Sequence, residues 1–505
     1  MKVNWATATS AEHRNAHPAI LLTVLCAAMF MTSLDLFIVN VALRPIGDGL
    51  GRRSLADLSW ILNAYAIVFA ALLVPAGRMA DRYGVKHVFL LGLALFSAGS
   101  LGCALSGDLW LLVGLRCVQA VGAAALVPAS LGLVLTSFSG ERLQRSIRIW
   151  AISGSLGAAS GPALGGLLVQ ESWRWIFIIN LPIGAAALIV AGMLAPGARH
   201  STETGVPDLF GGALLMVAIA SLALALVQGP AWGWGSGSTL TASTVAVLAL
   251  AACVARSARA RLPVIDLALF RNRAFMWANI ANFAFNIAFG MQLLGLVLWM
   301  QQGWGWSAVH TGLAIAPGPV MVPVTAIGLR RYTDTFPAGI RAAVGSLLLG
   351  GGGLFIGAML TARPHYAGEL LPGWIAEGIG VGLAMPTLVS AATDGLGSHQ
   401  ASTGSAVVQM GRQVGSVIGV AVLVVVIGSS TISAGALDRF THASWYAAGF
   451  ALVAALTCLG LLQRPRTATG TARIDAAVRS VAAAPSCGWA AHTDPPPGAS
   501  TRSSS

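Results

Sequence analysis

Runs of about twenty mostly apolar residues alternate with short polar breaks along nearly the whole chain, and their length decides what they are. A bilayer core about 30 Å thick is crossed by a helix of roughly 20 apolar residues. Fourteen runs of that order lie between Pro18 and Leu462, at residues 18–43, 57–77, 88–106, 109–138, 147–169, 175–195, 209–229, 239–256, 274–300, 307–329, 340–361, 370–393, 402–430 and 443–462. The pattern predicts an all-α integral membrane protein of 14 transmembrane helices. The first run carries Asp35, exceeds a signal-peptide core in length and lacks a small-residue cleavage site, so it is expected to stay as an uncleaved span. Composition agrees, since 56% of residues are hydrophobic and only 10% charged, where soluble domains carry about a quarter.

The net charge of +12 raises the question of nucleic acid, and the placement of the cations answers it. With the N-terminus inside, the tails and cytoplasmic loops hold 22 Lys and Arg, the outer loops 6, and two lie within spans. The positive-inside rule accounts for that bias, although Arg44, Arg52 and Arg53 in the first outer loop run against it. The basicity sets topology, and no nucleic-acid partner is expected. Both termini are expected in the cytoplasm. The six cysteines show no metal-ligand spacing or disulfide framework, and no histidine falls mid-span. No metal and no catalytic group is expected.

Glycines reveal an internal repeat. Gly157, Gly161 and Gly165 recur every fourth residue in span 5, and Gly411, Gly415 and Gly419 do so in span 13, offset by 254 positions. Asp81 finds Asp334 at an offset of 253. Spans 1 to 6 then correspond to spans 9 to 14, and spans 7 and 8 form an inserted pair. The expected division is a cytoplasmic N-terminus at 1–17, a six-helix bundle at 18–195, a linker and inserted pair at 196–273, a second six-helix bundle at 274–462, and a tail at 463–505. The tail is rich in Ala, Ser and Pro and is expected to be disordered.

The stretch from Gly77 to Lys86 places Arg78, Arg82, Lys86 and Asp81 between two apolar runs and reads as a short charged turn. It resembles the loop between spans 2 and 3 of the major facilitator superfamily. Gly161-Pro162-Ala163-Leu164-Gly165-Gly166, with Gly157 one turn earlier, is similar to the span-5 motif of that superfamily's antiporters, which is associated with export. Leu34-Asp35 with Val39-Asn40-Val41-Ala42-Leu43, Trp173-Arg174-Trp175-Ile176-Phe177 with Asn180, Pro182, Ile183 and Gly184, and Gln409, Arg412, Gln413, Gly415 and Gly419 resemble segments of its fourteen-span drug:proton antiporter family. Phe37, Arg44, Val85 and Ala120 depart from the family pattern. The resemblance implies a major facilitator fold of two six-helix halves plus an inserted helix pair. It also implies a cytoplasmic gate at Gly77, Asp81, Arg82, Gly84 and Lys86, with Asp81 facing a helix N-terminus of the other half.

Ionisable residues inside spans cost about 2.5 to 3.5 kcal/mol each and are functional candidates by default. Asp35, Arg116, Glu377 and Arg412 qualify. Counted from the outer ends of their helices, the first three lie roughly 10 to 12 Å deep, as if sharing one layer of a central cavity. Asp35 is expected to take a proton from outside, Arg116 to hold the deprotonated form, and Glu377 to couple a second proton or contact a cationic substrate; a fixed ion pair that only fastens helices is the competing reading. Arg412 shares a helical face with Ser405, Gln409 and Ser416, a polar stripe that lines either the substrate path or a buried inter-helix network, and Gln119, Gln409 and Arg412 are assigned to the substrate pathway.

Lys2 and Lys86 are the only lysines, and neither stands in a phosphate-binding glycine loop, so no nucleotide cofactor is expected; transport is secondary or depends on another subunit, and the expected driving force is the proton gradient. The expected function is proton-coupled export of hydrophobic or amphipathic molecules such as drugs or antibiotics, by a monomer in the cell membrane that meets protons, lipid and a small-molecule substrate. A narrow-specificity metabolite exporter, a proton symporter of the same fold, and a non-transporting membrane partner are the alternatives. A membrane enzyme is not expected, because the short loops lack a cluster of reactive side chains.

Overall fold

A computed structural model describes residues 18–51, 54–195, 208–260, 263–328, 335–393, 396, 398–428 and 435–462. Asp334, Arg52, Arg53, most of the linker after span 6, and the two termini lie outside the described residues. All regular structure among the described residues is helical. Fourteen helices are long and apolar enough to cross a membrane: Pro18–Gly49, Leu55–Tyr83, Val85–Leu105, Leu109–Ser137, Gly140–Val169, Trp175–Leu194, Leu209–Trp232, Gly237–Ser257, Arg273–Gly303, Ala308–Gly328, Ala338–Met359, Leu371–Thr393, Gly404–Ile427 and Ala436–Leu462. They are numbered spans 1 to 14 in that order. The end at which span 1 begins and spans 2 and 3 join is called the basic end.

Local chemistry sets the helix ends. Ser54 accepts from the Asp57 amide to start span 2, Asp108 from the amides of Trp110 and Leu111 to start span 4, and Ser307 from that of His310 to start span 10, each satisfying donors that a first turn leaves open. The expected ten-residue turn after span 2 is shorter than its charge suggests. Span 2 stays helical through Arg82 to Tyr83, and only Gly84, at φ 93°, breaks it; a side chain at that backbone angle would be strained. Span 1 likewise runs through Arg44 and Pro45 to Gly49, so Arg44 sits on a helix rather than in a loop.

Apolar side chains gain little from one another in lipid, so close backbone packing carries the bundle. Gly161 of span 5 lies on Phe37 and Ile38 of span 1, and Gly165 on Ile38 and Val41. The second half repeats the arrangement, with Gly415 and Gly419 of span 13 lying on Phe283 and Ile287 of span 9. Gly411 does not complete the triplet, because its nearest neighbours, Asn279 and Asn282, stand 3.9 Å away. A further pair extends the repeat: a β-carbon on Gly99 would meet the Gln119 backbone, and one on Gly352 would meet Glu377. Glu377 therefore occupies in the second half the place that Gln119 occupies in the first.

Spans 7 and 8 pack on each other, and span 7 also lies against spans 2 and 13, one from each half. Asp208 receives the Gly211 amide and pairs with Arg256 at 2.6 Å, fastening the inserted pair together at the basic end. Span 10 is interrupted by Pro317, Pro319 and Pro323. Pro319 has no N–H to offer the Ile315 carbonyl; the indole of Trp374 in span 12 donates to that carbonyl instead, at 2.7 Å.

Candidate functional site

The halves enclose a cavity of about 830 Å³, within the size range of small-molecule sites. Its walls run from Asn40, Trp374 and Glu377 in the interior to Val85, Leu135 and Asp81 at the basic end, where Leu135 and Asp81 are exposed. The opposite end is shut. Gly166 of span 5 lies on the backbone of Ala308 and Val309, and Gly312 of span 10 lies on Pro162. Arg44 donates to the Gln301 carbonyl, the Gln301 amide donates to the Val41 carbonyl at 2.9 Å, and Phe37 meets Phe289 edge-on at 6.5 Å. Phe37 and Arg44, two departures from the family pattern, thus both take part in closing this end, and Pro162 and Gly166 of the span-5 motif serve the same seam.

Against the first-half wall lies a fully buried ion pair. Arg116 Nη1 is 2.5 Å from Asp35 Oδ2, with both residues at 0% exposure. Arg116 and Gln119 are three residues apart on span 4 and so share one helical face. Gln119 Nε2 donates to Asp35 Oδ1 at 2.8 Å and to Ser100 Oγ at 2.6 Å, while its carbonyl accepts from Arg116 at 2.6 Å. Asn180, at the break in span 6, donates to Asp35 Oδ1 at 3.3 Å and to Ser100 at 3.0 Å. The guanidinium lies over the Tyr65 ring at 4.0 Å. Both carboxylate oxygens are therefore served, which is what a buried charge requires if it is not to cost several kcal/mol.

The expected single layer divides into front and back. Arg116 and Glu377 line the cavity, whereas Asp35 does not; Arg116 and Tyr65 stand in front of it. Gln119 also departs from its expected place on the substrate pathway. It is wholly buried and bound to Asp35, because the small Gly99 draws span 3 tight against it. Gln409 and Arg412 do line the cavity. Trp150, Trp374, Met29 and Met385 are the described tryptophans and methionines on its wall.

Glu377 is at 0% exposure with one oxygen receiving the Gln292 amide at 3.1 Å and the other without a partner among the described residues. A buried carboxylate with half its needs met costs stability. Replacing Glu377 by Gln is expected to keep the Gln292 contact and to leave the protein as stable or more so, by about 1 to 3 kcal/mol. A fall in the thermal midpoint of the detergent-solubilised variant would contradict that reading of the side chain.

At the basic-end mouth, Asp81 and Arg78 line the opening, and Asp266, Asp208 and Asp81 act on the Arg78 charge. The inserted pair thus contributes an acid to this mouth. Lys86 turns away from it and donates to the Ala195 carbonyl at the C-terminal end of span 6, at 2.8 Å, fastening span 3 within its own half. A β-carbon on Gly77 would have ordinary room beside Pro128, at 3.5 Å, whereas Gly84 is needed for its backbone angle. Among the described residues no group of acids, histidines and cysteines could hold a metal ion.

Sequence reasoning found the charged members of this site and passed over most of its neutral ones. Ser100, Tyr65 and Gln292 carry no charge, and the one signal that could have marked them is a polar side chain inside an apolar run. Asn180 was noted only as part of the span-6 motif.

Two repeat-related six-helix halves around a central cavity, with a buried ion pair at its wall, define a polytopic transporter-type membrane protein. The Major Facilitator Superfamily profile matches residues 25–420, and the chain belongs to that superfamily. It is 33% identical to a methylenomycin A resistance protein of Streptomyces coelicolor (strain ATCC BAA-471 / A3(2) / M145), over 90% of this chain and 94% of that one. It is 32% identical to a cephamycin export protein of Amycolatopsis lactamdurans, over 85% and 89% of the two chains. Among solved structures, a peptide transporter of the POT family superposes with a TM-score of 0.66 at 17% identity, over 87% of this chain and 94% of that one; at that identity the likeness is one of fold.

Proposed function

We propose that this protein is a proton-coupled exporter of hydrophobic or amphipathic small molecules, drugs or antibiotics among them, and that it works by alternating access. The observation that carries the reading is the fully buried Asp35 held directly behind the wall of a cavity open at one end. A proton on Asp35 cancels the charge that holds Arg116, and the loss of that pair alters the wall facing the substrate. Proton and substrate then compete for one arrangement without occupying one place. The names of the relatives, one conferring resistance and one exporting cephamycin, support export rather than uptake.

The same reading places the basic end in the cytoplasm, both termini inside, and the chain in the cell (plasma or inner) membrane as a monomer. The 22-to-6 division of cations supports that orientation. The cavity then faces the cytoplasm, the side from which an exporter takes its substrate. No enzymatic step and no cofactor is required. A proton moving down 100 mV releases about 2.3 kcal/mol, enough for roughly a fifty-fold gradient in one-to-one exchange. Glu377 is the candidate for a second proton or for a donor group on the substrate, and Asp81, Arg82 and Gly84 for the gate that closes when the cavity turns outward.

Everted vesicles energised with a proton gradient, exposed to a panel of amphipathic dyes and antibiotics, test this directly. Substrate-driven proton release is the expected result. No proton movement with any compound, in vesicles shown to contain folded protein, would overturn the exporter reading.

A further inference from the structure

Among the described residues three arginines line the cavity, Arg78, Arg116 and Arg412, and they differ in what faces them. Arg116 is bound to Asp35. Arg78 stands in the field of Asp266, Asp208 and Asp81. Arg412 makes no ion pair or hydrogen bond with any described residue. Arg412 is half-buried and opens onto the cavity, and a cation facing the interior at membrane depth is a functional position by default.

Its surroundings are built for a ligand with one polar end. Gln409, Gln413 and Ser416 share its helical face and the same cavity wall, and among the described residues neither glutamine amide has a side-chain partner. Phe37, Phe69, Phe289, Leu293, Val322 and Met385 supply apolar wall elsewhere in the cavity. Guanidinium is a planar donor fork without an acceptor, matched to two oxygens of one acid group. Glu377 lies nearer the sealed end and keeps one oxygen free among the described residues, which suits a hydroxyl or amine donor and opposes a second acid.

We propose that Arg412 is the polar anchor of the substrate site and that the transported compound is an amphipathic organic monoanion, its carboxylate or equivalent oxyanion held by Arg412 between Gln409 and Gln413. The proposal rests on the export reading above and narrows its substrate class. It also reverses the sign of the partner first considered for Glu377, which was a cation.

Equilibrium binding to the full-length protein in lipid nanodiscs, with naphthoate, naphthylmethylammonium and naphthalenemethanol as matched probes, tests the charge preference. Naphthoate is expected to bind wild type about ten-fold more tightly than either other probe, the value of a charge-assisted contact. Arg412→Gln is expected to erase that preference and Arg412→Lys to keep part of it. Equal or tighter binding of the ammonium probe to wild type overturns the proposal without needing any variant, as does undetectable naphthoate binding. A preference unchanged in folded Arg412→Gln overturns it too. Arg412-dependent naphthoate binding with no coupled flux of any compound in liposomes would uphold the anion site and remove the export reading. Proton-driven export of cationic dyes, with no anion preference, would do the reverse.

Discussion

Asp35→Asn is expected to lose substrate-driven proton release down to the level of empty liposomes, while substrate still exchanges down its own gradient. The asparagine keeps the shape and its oxygen can still accept from Gln119 and Asn180, which donate to Asp35 at 2.8 and 3.3 Å, while Arg116 loses its carboxylate but keeps the Gln119 carbonyl and borders the cavity. The asparagine has no charge to exchange. Arg116→Ala should behave differently, because it strands a buried carboxylate whose main partner lay 2.5 Å away. Breaking a buried pair from one side costs about 3 to 5 kcal/mol, so that variant is expected to lose folded protein, read by its yield after size-exclusion chromatography. Proton release at the wild-type level in folded Asp35→Asn would mean that the ion pair only fastens helices.

Gly166→Leu is the second substitution with a large expected effect, and it acts on conformation rather than on the proton. A β-carbon there would lie 2.9 Å from Val309 Cα and against the Ala308 carbonyl, so the added side chain must push span 10 away from span 5. Overpacking of this kind costs about 1 to 3 kcal/mol, and each 1.4 kcal/mol is about tenfold in population. The sealed end is expected to open about ten- to a hundred-fold more often. Labelling of a cysteine placed at Ala163, in a background without the native cysteines, should then accelerate from that side. Gly192→Leu is the control, since nothing lies within 4 Å of a β-carbon there. Equal labelling in both variants would remove the seam between spans 5 and 10 as a gate.

The fourteen spans were legible because a bilayer demands about twenty apolar residues for each crossing, a requirement strong enough to survive local detail. Their ends were not. Arg44, Arg78 and Arg82 look like loop residues, yet a helix can carry charge past the apolar region while its backbone hydrogen bonds continue, and only Gly84 interrupts spans 2 and 3. Asp35 and Arg116 stood out for the cost of burying charge. What could not be read was who stands in front of whom. Facing the cavity or lying behind its wall depends on helix rotation, which is set by contacts such as Gly99 on Gln119 between segments distant in sequence. Arg44 and Phe37 gain meaning for the same reason only when span 9 brings Gln301 and Phe289 to them.

The inserted pair gains a physical role from the same packing. Span 7 touches spans 2 and 13, one from each half, while Asp208 binds Arg256 and acts on Arg78 at the cavity mouth. An insertion that leaves the repeat intact thus reaches the end of the cavity that must close during turnover.

Protonation of Asp35 deciding which end of the cavity is open is tested most directly by two distances measured together. One spin-label pair at Leu135 and Val389 spans the basic end, and another at Leu105 and Met359 spans the opposite end; all four side chains are exposed. Exchange of proton for substrate requires the protonated protein to return to the state open at the basic end. Acidification should therefore lengthen the first distance and shorten the second in wild type, and Asp35→Asn should hold the acidic values at every pH. Distances that ignore pH, that change in the same direction, or that respond in Asp35→Asn as they do in wild type would contradict it.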